Sequence, residues 1–490
     1  MEKDKIGVGL DLGTTKIVAM IGKMNDYGKL EILGVGKSKS YGVQRGVVSN
    51  ISKTIQSIQA AIEEAEINSG YKINDVVVGI AGQHIRSLQH SDYISRANPD
   101  DVISEEDVYQ LIGQVQKLTM LPGEEIIHVL PQEYKIDGQT ETNDPVGMSG
   151  CRLESNFHVV VGQAASIRNV GRCVKGADIE LANLTLEPLA SADAVLSQEE
   201  KEAGVALIDI GGGTTDLAIF KDGIIRHTAV IPFGGNVITE DIKEGCFIIE
   251  KQAEKLKVQF GSAWPGENKE NEIVTIPGVR DREHKEISLK NLSKIIHARV
   301  VEIIEQVYAE IKAYGHEQHR KKLIAGIVLT GGGAQLKHIK QLVEYITGMD
   351  TRIGYPNEHL AGETDTEISS PMYATSVGLV MNSLRTQTSL GAVSIAEIEA
   401  KKREEEERIQ EEERRKREME KLTLQQQEAL RRAEERRIQE ERIRKIEEEK
   451  RLEEEIQNRE AEQKKKKSKT PFSFFESYVE RVKDFLDKAE

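Results

Sequence analysis

The stretch LDLGTTKIVAMI, residues 10–21, returns with small changes as IDIGGGTTDLAIF at residues 208–220. Each copy is an apolar run ending near an Asp, then a bend of Gly and Thr, then a second apolar run. A strand–turn–strand of this kind aims successive backbone N–H groups and hydroxyls at one point, and such a nest binds phosphate oxygens. The Asp before each turn suits Mg2+ held through water, because Mg2+ takes a carboxylate or two together with waters and phosphates. A single hairpin of this type also occurs as a plain tight turn. Two in one chain predict two half-molecules that close on one phosphate-bearing ligand from both sides.

Three further phrases belong with the pair. IAGIVLTGGGAQL (324–336) reads as an apolar strand delivering a triple glycine that opens a helix, where a nucleoside can lie against bare backbone. LTLEPLASADAVL (184–196) and PMYATSVGLV (371–380) read as small-residue helices after loops, and small side chains let helices pack closely, as a hinge between halves requires. Strand-like runs at 6–10, 16–21, 76–81, 205–210, 217–220 and 327–330 alternate with helical periodicity at 50–65 and 289–314, which is α/β patterning.

The chain of 490 residues is long enough for two or three domains with real cores. Its formal net charge of −15 argues against nucleic acid as a partner. Charged residues reach 30 % and mean hydropathy is −0.45, yet residues 5–390 read as ordinary globular sequence. The excess polarity sits in residues 397–469, which are almost entirely Glu, Lys, Arg and Gln. The scattered apolar residues there (Ile409, Met419, Leu422, Leu430, Ile438, Ile443, Ile446, Leu452, Ile456) keep no heptad register, which argues against a coiled coil. A solvated single helix braced by i,i+4 ion pairs is the expectation, with disorder as the rival. Fully helical, this spacer would reach about 110 Å at ~1.5 Å per residue. Cys151, Cys173 and Cys246 form no CxxC or metal spacing and read as small hydrophobes in a reducing cytoplasm. The charged start, MEKDKIGVGL, runs straight into a strand, so the expectation is a chain without a signal peptide.

Read in order, the five phrases resemble the phosphate-1, connect-1, phosphate-2, adenosine and connect-2 motifs of the superfamily of actin, heat-shock chaperones and sugar kinases, over roughly residues 5–390. That resemblance implies an ATP site. Asp11, Gly13, Thr14, Thr15 and Lys16 would contact phosphate or metal from one hairpin, and Asp209, Gly211, Gly212, Gly213, Thr214 and Thr215 from the other. Asp11 and Asp209 would hold Mg2+ through water. Gly331, Gly332 and Gly333 would hold the adenosine. In AEKLKVQFGSA (253–263), Glu254 and Lys257 would face purine and ribose, the alternative being a surface salt bridge at i,i+3 spacing. Glu187 in LEPLA falls at the superfamily position that orients the attacking water, with Asp209 as the other catalytic candidate. The alternative for Glu187 is an acidic first-turn residue satisfied by the helix dipole.

Residues of about 85–165 lack the Gly/Thr phrases and read as a separate small unit. PDDVISEEDVYQLIGQVQK has Asp101 or Ser104 as N-cap, with Glu105, Glu106 and Asp107 in the first turn, and IIHVLPQEYKIDG and FHVVVG follow. This insertion, GGNVITEDI (234–242) and the tail together resemble the FtsA family of bacterial cell-division proteins, although the spacer is longer than that family leads one to expect. The fold class implied is α/β: an actin-like, two-lobed, duplicated ATPase fold with an inserted α+β subdomain, then a long charged helical linker and a C-terminal amphipathic helix. The boundaries drawn are 1–84, 166–204 and the return helix 373–395 for lobe 1, with 85–165 inserted. Lobe 2 takes 205–239 and 326–372, with 240–325 as its outer subdomain. The linker is 396–469 and the last helix 470–490.

That last segment, TPFSFFESYVERVKDFLDKAE, holds four of the nine Phe residues. Ser473 and Glu476 form a capping box behind Pro471. At 100° per residue, Phe472, Phe475, Tyr478, Val479, Val482, Phe485 and Leu486 share one arc of about 140°. Such a helix is too polar to span a bilayer but suits its surface, helped by Lys464 to Lys467 and Lys469 just upstream. A helix docking into a protein groove carries the same pattern. By resemblance, the chain would sit at the division site on the inner face of the cytoplasmic membrane and polymerise with itself. It would tether the C-terminal tail of the tubulin homologue FtsZ and help recruit later division proteins, with ATP mainly a structural clamp and turnover slow at most. Lys290, Lys294 and Arg299 in ISLKNLSKIIHARVVEII would offer charge to the acidic FtsZ tail, although a solvated basic helix face reads the same. The rivals are a pilus-assembly scaffold of the same fold and a soluble kinase or ATPase.

Overall fold

The computed structural model describes residues 5–96, 98, 101–267, 272–278, 283–362, 365–385 and 392–466, and the chain falls into two compact units, Met1–Glu399 and Ala400–Glu490. In the first unit, Ile6–Leu12 (β1) and Lys16–Met24 (β2) form an antiparallel hairpin, and Leu30–Lys39 (β3) pairs antiparallel on β2. The helix Ile51–Ser69 (α1) begins where the Asn50 side chain accepts from the Lys53 N–H, and it ends at Gly70, whose φ of 73° favours glycine. Asp75–Ile80 (β4) then lies parallel to β1.

The chain next builds a small α+β unit from Ile85–Ser95 (β5), Glu105–Gln116 (α2), Glu124–Ile136 (β6), Thr140–Thr142 (β7) and Arg152–Gln163 (β8). Its antiparallel sheet runs β7-β6-β8-β5. Ser104 is the N-cap of α2, in a capping box with Asp107. The helix Ala164–Gly176 (α3) and strand Glu180–Leu186 (β9) return to the first sheet, completing the order β9-β4-β1-β2-β3. Glu187–Val195 (α4) follows β9 directly. Residues 184–186, read as the start of the small-residue helix phrase, complete β9 instead, so no loop separates strand from helix.

The second copy repeats this plan. Val205–Ile210 (β10), Thr215–Lys221 (β11) and Ile224–Ile231 (β12) form an antiparallel meander. The helices Gly235–Cys246 (α5), Glu250–Phe260 (α6) and Leu289–Tyr314 (α7) follow. Ile327–Thr330 (β13) is parallel to β10, and after Ile339–Thr347 (α8) the strand Thr351–Ile353 (β14) is parallel to β13. The sheet order β12-β11-β10-β13-β14 matches the first in order and strand direction. The doubled phrase is a doubled fold.

Strand residues alternate between two cores. On β2, Ile17, Ala19 and Ile21 pack with Ile58 and Ala61 of α1 and Val174 of α3. Val18 and Met20, on the opposite face, join Leu207, Ala218 and Val328 of the second sheet in one shared core. Both faces are buried, which is why these strands read as continuous apolar runs. The helix Ala374–Arg385 (α9) crosses α4 in that shared core. A Cβ at Gly378 would stand 1.8 Å from the Ala190 carbonyl oxygen, so only glycine allows the approach.

The inserted unit also touches the second lobe. Arg226 on β12 pairs with Glu133 at 2.6 Å, Gln132 donates to the Ile225 carbonyl at 3.2 Å, and Ser87 donates to the Thr228 carbonyl at 3.2 Å. The buried His158 Nε2 lies 3.0 Å from Thr228 Oγ1.

Ala392–Ser394 pairs antiparallel with Tyr71–Ile73, and a helix spans Ile395–Lys466 (α10). In the second unit every described side chain of α10 is exposed. Ion pairs one turn apart brace it, among them Glu411–Arg415 at 2.9 Å and Glu413–Arg417 at 3.3 Å. The tail residues Phe472, Phe475, Tyr478, Val479, Val482, Phe485 and Leu486 lie outside the described residues. Among those described, no helix is long and apolar enough to cross a membrane.

Candidate functional site

The turns after β1 and β10 meet. A Cβ at Gly212 would come within 2.1 Å of Thr15 Oγ1, and one at Gly213 within 2.4 Å of Thr14 Oγ1. Behind them opens a cavity of about 390 Å³. Asp11, Gly13, Thr14, Thr15 and Lys16 line it from one side, and Asp209, Gly211, Gly212, Gly213 and Thr214 from the other. Glu187, Glu254, Lys257, Gly331, Gly332 and Gly333 complete the set read from the sequence. Thr215 does not line it. Strand alternation turns that residue away from Thr214 and Asp216, and its hydroxyl donates to the Phe233 carbonyl at 2.8 Å.

The triple glycine does not open a helix directly. Gly331 has φ 83°, residues Gly332–Gln335 form a 3-10 turn, and α8 starts at Ile339 after a left-handed His338. The glycines are needed for closeness. A Cβ at Gly331 would stand 2.2 Å from Asp209 Oδ1, and one at Gly333 would stand 2.3 Å from Ile210 Cγ2.

The buried Asp11, Asp209 and Asp216 and the half-buried Glu187 share the cavity wall with the half-buried Lys16. Ser376 on α9 donates to Asp11 at 3.1 Å, while Thr375 beside it donates to Asp209 at 3.2 Å and Ser191 on α4 donates to Asp209 at 2.7 Å. Two neighbouring hydroxyls of one helix thus hold the hairpin aspartates of both lobes. Burial pushes Asp11 up to about 6, opposed by Lys16 and the Ser376 hydrogen bond. Burial and the Asp209 charge push Asp216 up to about 8. Glu187 is held well above the usual carboxylate range by burial and then by Asp11, Asp216 and Asp209. Asp209 is raised by burial against its hydrogen bonds. Asp216 Oδ1 is buried without a hydrogen-bond partner. Carboxyl groups all raised by burial beside an orphaned oxygen are chemistry that a divalent cation would relieve. Among the described residues no three His, Cys, Asp or Glu side chains are grouped to grip a metal directly. The donor set therefore fits a hydrated Mg2+ reached through water, with phosphate oxygens on the glycine-turn amides.

Glu254 and Lys257 pair with each other at 2.7 Å. Lys257 also donates to the Gly235 carbonyl and to Thr239 Oγ1, each at 2.8 Å, which stitches α6 to the start of α5 at the cavity wall. None of Lys290, Lys294 and Arg299 on α7 lines the cavity. Arg299 is bound to Asp241 on α5 at 2.6 and 3.0 Å and to Glu302 at 2.5 Å, whereas Lys294 is exposed.

Sequence reading missed Asp216, Ser191, Thr375 and Ser376. Asp216 had a signal: overlaying the two phrases sets it against Lys16, so the copies differ in charge at the residue after Thr-Thr. The hydroxyls carried none, because Ser and Thr on a small-residue helix read as packing.

The family model described as cell division protein FtsA matches residues 206–378, and the one described as the SHS2 domain inserted in FtsA matches residues 82–161. The chain is 39 % identical over 396 residues to the cell division protein FtsA of Pseudomonas aeruginosa, covering 81 % of this chain and 93 % of the relative. It is 32 % identical over 383 residues to that of Escherichia coli K12, covering 77 % and 90 %. Among solved structures, a type IV pilus biogenesis complex, PilM–PilN, superposes with a TM-score of 0.56 at 16 % identity, covering 77 % of this chain and 98 % of that one. That likeness is one of fold.

Proposed function

The chain belongs to the FtsA family, it is an actin-like cell-division protein, and on that premise we propose that it binds ATP with Mg2+ between its lobes and tethers FtsZ to the membrane. The observation that carries the nucleotide part is the convergence of both copies of the hairpin on one cavity. In this reading the amides of Gly13, Gly212 and Gly213 take the phosphates, the Gly211 N–H closing the turn on the Thr214 carbonyl, with Thr14, Thr15 and Thr214 adding hydroxyls and Lys16 a charge. Asp11 and Asp209 hold hydrated Mg2+, which supplies charge to the phosphates. The bare backbone at Gly331 to Gly333 takes adenosine opposite the Glu254–Lys257 pair. Burial and the charges of Asp11, Asp216 and Asp209 favour the protonated form of Glu187, which makes it a less available base for water. This supports ATP acting chiefly as a clamp between lobes and hydrolysis being slow.

The tail supplies the membrane part. Half of its apolar arc buried in a lipid surface would contribute roughly 5–10 kcal/mol before ordering, at about 1.5–3 kcal/mol per large side chain. The molecule then lies on the cytoplasmic face of the inner membrane at the division site. It assembles with further copies and recruits later division proteins. Lys290 and Lys294 meet the acidic FtsZ tail, and Arg299 braces that face through Asp241.

The test is liposome co-sedimentation of the full chain and of a chain ending at Lys469, with and without Mg-ATP and FtsZ tail peptide. The full chain is expected to pellet with the peptide and the shortened one to stay in solution. If both stay in solution the tether is wrong, the tail docks on protein, and a pilus-type or kinase role moves forward.

A further inference from the structure

Lys16 lies where the first lobe meets the segment leading into α9. Its ammonium sits 3.8 Å from the centre of the Tyr373 ring and donates to the Met372 carbonyl at 3.2 Å. Tyr373 is 1 % exposed. Its hydroxyl donates to Glu367 at 3.0 Å, and Glu367 accepts from Lys37 of β3 at 2.7 Å, so the ring is fixed at its far end as well. The same short turn, Pro371–Tyr373, is held from the other lobe. The Gly331 N–H and Thr330 Oγ1 donate to the Pro371 carbonyl at 3.1 and 3.3 Å. Three consecutive residues thus join the glycine turn of lobe 2, at Pro371, to the Lys16 ammonium of lobe 1, at Met372 and Tyr373.

An aromatic face suits a cation cut off from water, because the ring quadrupole replaces part of its hydration without taking its proton. Lys16 is half-buried at the cavity wall, and burial pulls its ammonium down to about 8, against the attraction of Asp11. A lysine stem is also flexible, and rotamers frozen beforehand need not be frozen when phosphate arrives. We propose that Tyr373 is the positioning residue for Lys16, holding its ammonium at the phosphate turns, so that affinity for the phosphates of a nucleotide depends on the ring. This rests on the nucleotide reading above. Tyr373 itself touches no phosphate; it acts through Lys16.

The test is calorimetric titration of the full chain with Mg-ATP and, separately, with adenosine, which has no phosphate for Lys16 to meet. Tyr373→Leu is expected to weaken ATP about tenfold and to leave adenosine unchanged. Tyr373→Phe keeps the ring and is expected to stay within about twofold of the parent for ATP. On a Lys16→Gln background, Tyr373→Leu should cause no further loss, because the two act as one unit. Two results overturn the proposal: Tyr373→Leu binding ATP as the parent does, or losing ATP and adenosine in parallel. The parent failing to bind either ligand would instead sink the nucleotide reading, and the proposal with it.

Discussion

Replacing Gly378 by alanine should loosen the joint between the lobes. The new Cβ would lie 1.8 Å from the Ala190 carbonyl oxygen and 2.9 Å from its Cα. Both are backbone atoms of α4, so neither can rotate aside. Ordinary contact begins at 3.4 Å, so α9 and α4 must part by about 1.6 Å at this point, a forced core expansion. Overpacking typically costs about 1–3 kcal/mol, and a clash with helical backbone belongs at the upper end. Alanine gives back about 1 kcal/mol of helix propensity. The net loss is about 2 kcal/mol, which lowers Tm by about 2–3 °C in a unit of this size, because the unfolding entropy grows with chain length. The strain also reaches the cleft, because Thr375 and Ser376, within a turn of Gly378, hold Asp209 and Asp11. Thermal unfolding of Gly378→Ala beside Gly113→Ala provides the assay. Gly113 lies in α2 with nothing within 4 Å of its Cβ position, so its alanine variant should be neutral or slightly more stable. A Gly378→Ala melting point at or above that of the parent would refute the reasoning.

Spin labels at Gln410→Cys and Leu452→Cys in the full chain, on a Cys151→Ser background, measure whether α10 is a rod. A helix sets them about 63 Å apart at ~1.5 Å per residue, and a flexible coil about 32–39 Å; a distribution centred under about 45 Å would contradict the helix. Burial holds His158 down at about 4, helped by the nearby His227. The unfolded chain therefore takes up that proton first, and the folded state loses stability as pH falls from about 6.5 toward 4, by about 2 kcal/mol at pH 5. The stability gap between parent and His158→Gln should shrink by that amount from pH 7 to pH 5, and a constant gap would mean that His158 is already charged in the folded state.

The hairpins were legible in the sequence because they are local. Strand, turn and strand lie within about a dozen residues, and a continuous apolar run announces a strand buried between two cores. The cavity's partners are not local. Ser376 reaches Asp11 across 365 positions and Thr375 reaches Asp209 across 166, so only the folded chain reveals that one helix end holds both aspartates. Arg299 looked like a free cation because its partner Asp241 lies 58 positions away on another helix. The helix expected after the triple glycine opens as a 3-10 turn, Gly332–Gln335, and turns α-helical only at Ile339, after the left-handed His338, which no side-chain pattern announces.

The inserted unit has a mechanical consequence. The lobes are joined at the crossing of α4 and α9, and again where Arg226, Ile225 and Thr228 of β12 meet Glu133, Gln132, Ser87 and His158. The β12 contacts lie away from that crossing, so any twist of one lobe against the other would have to break them as well as strain the shared core. Whatever grips the inserted unit from outside therefore takes hold of a joint between the lobes.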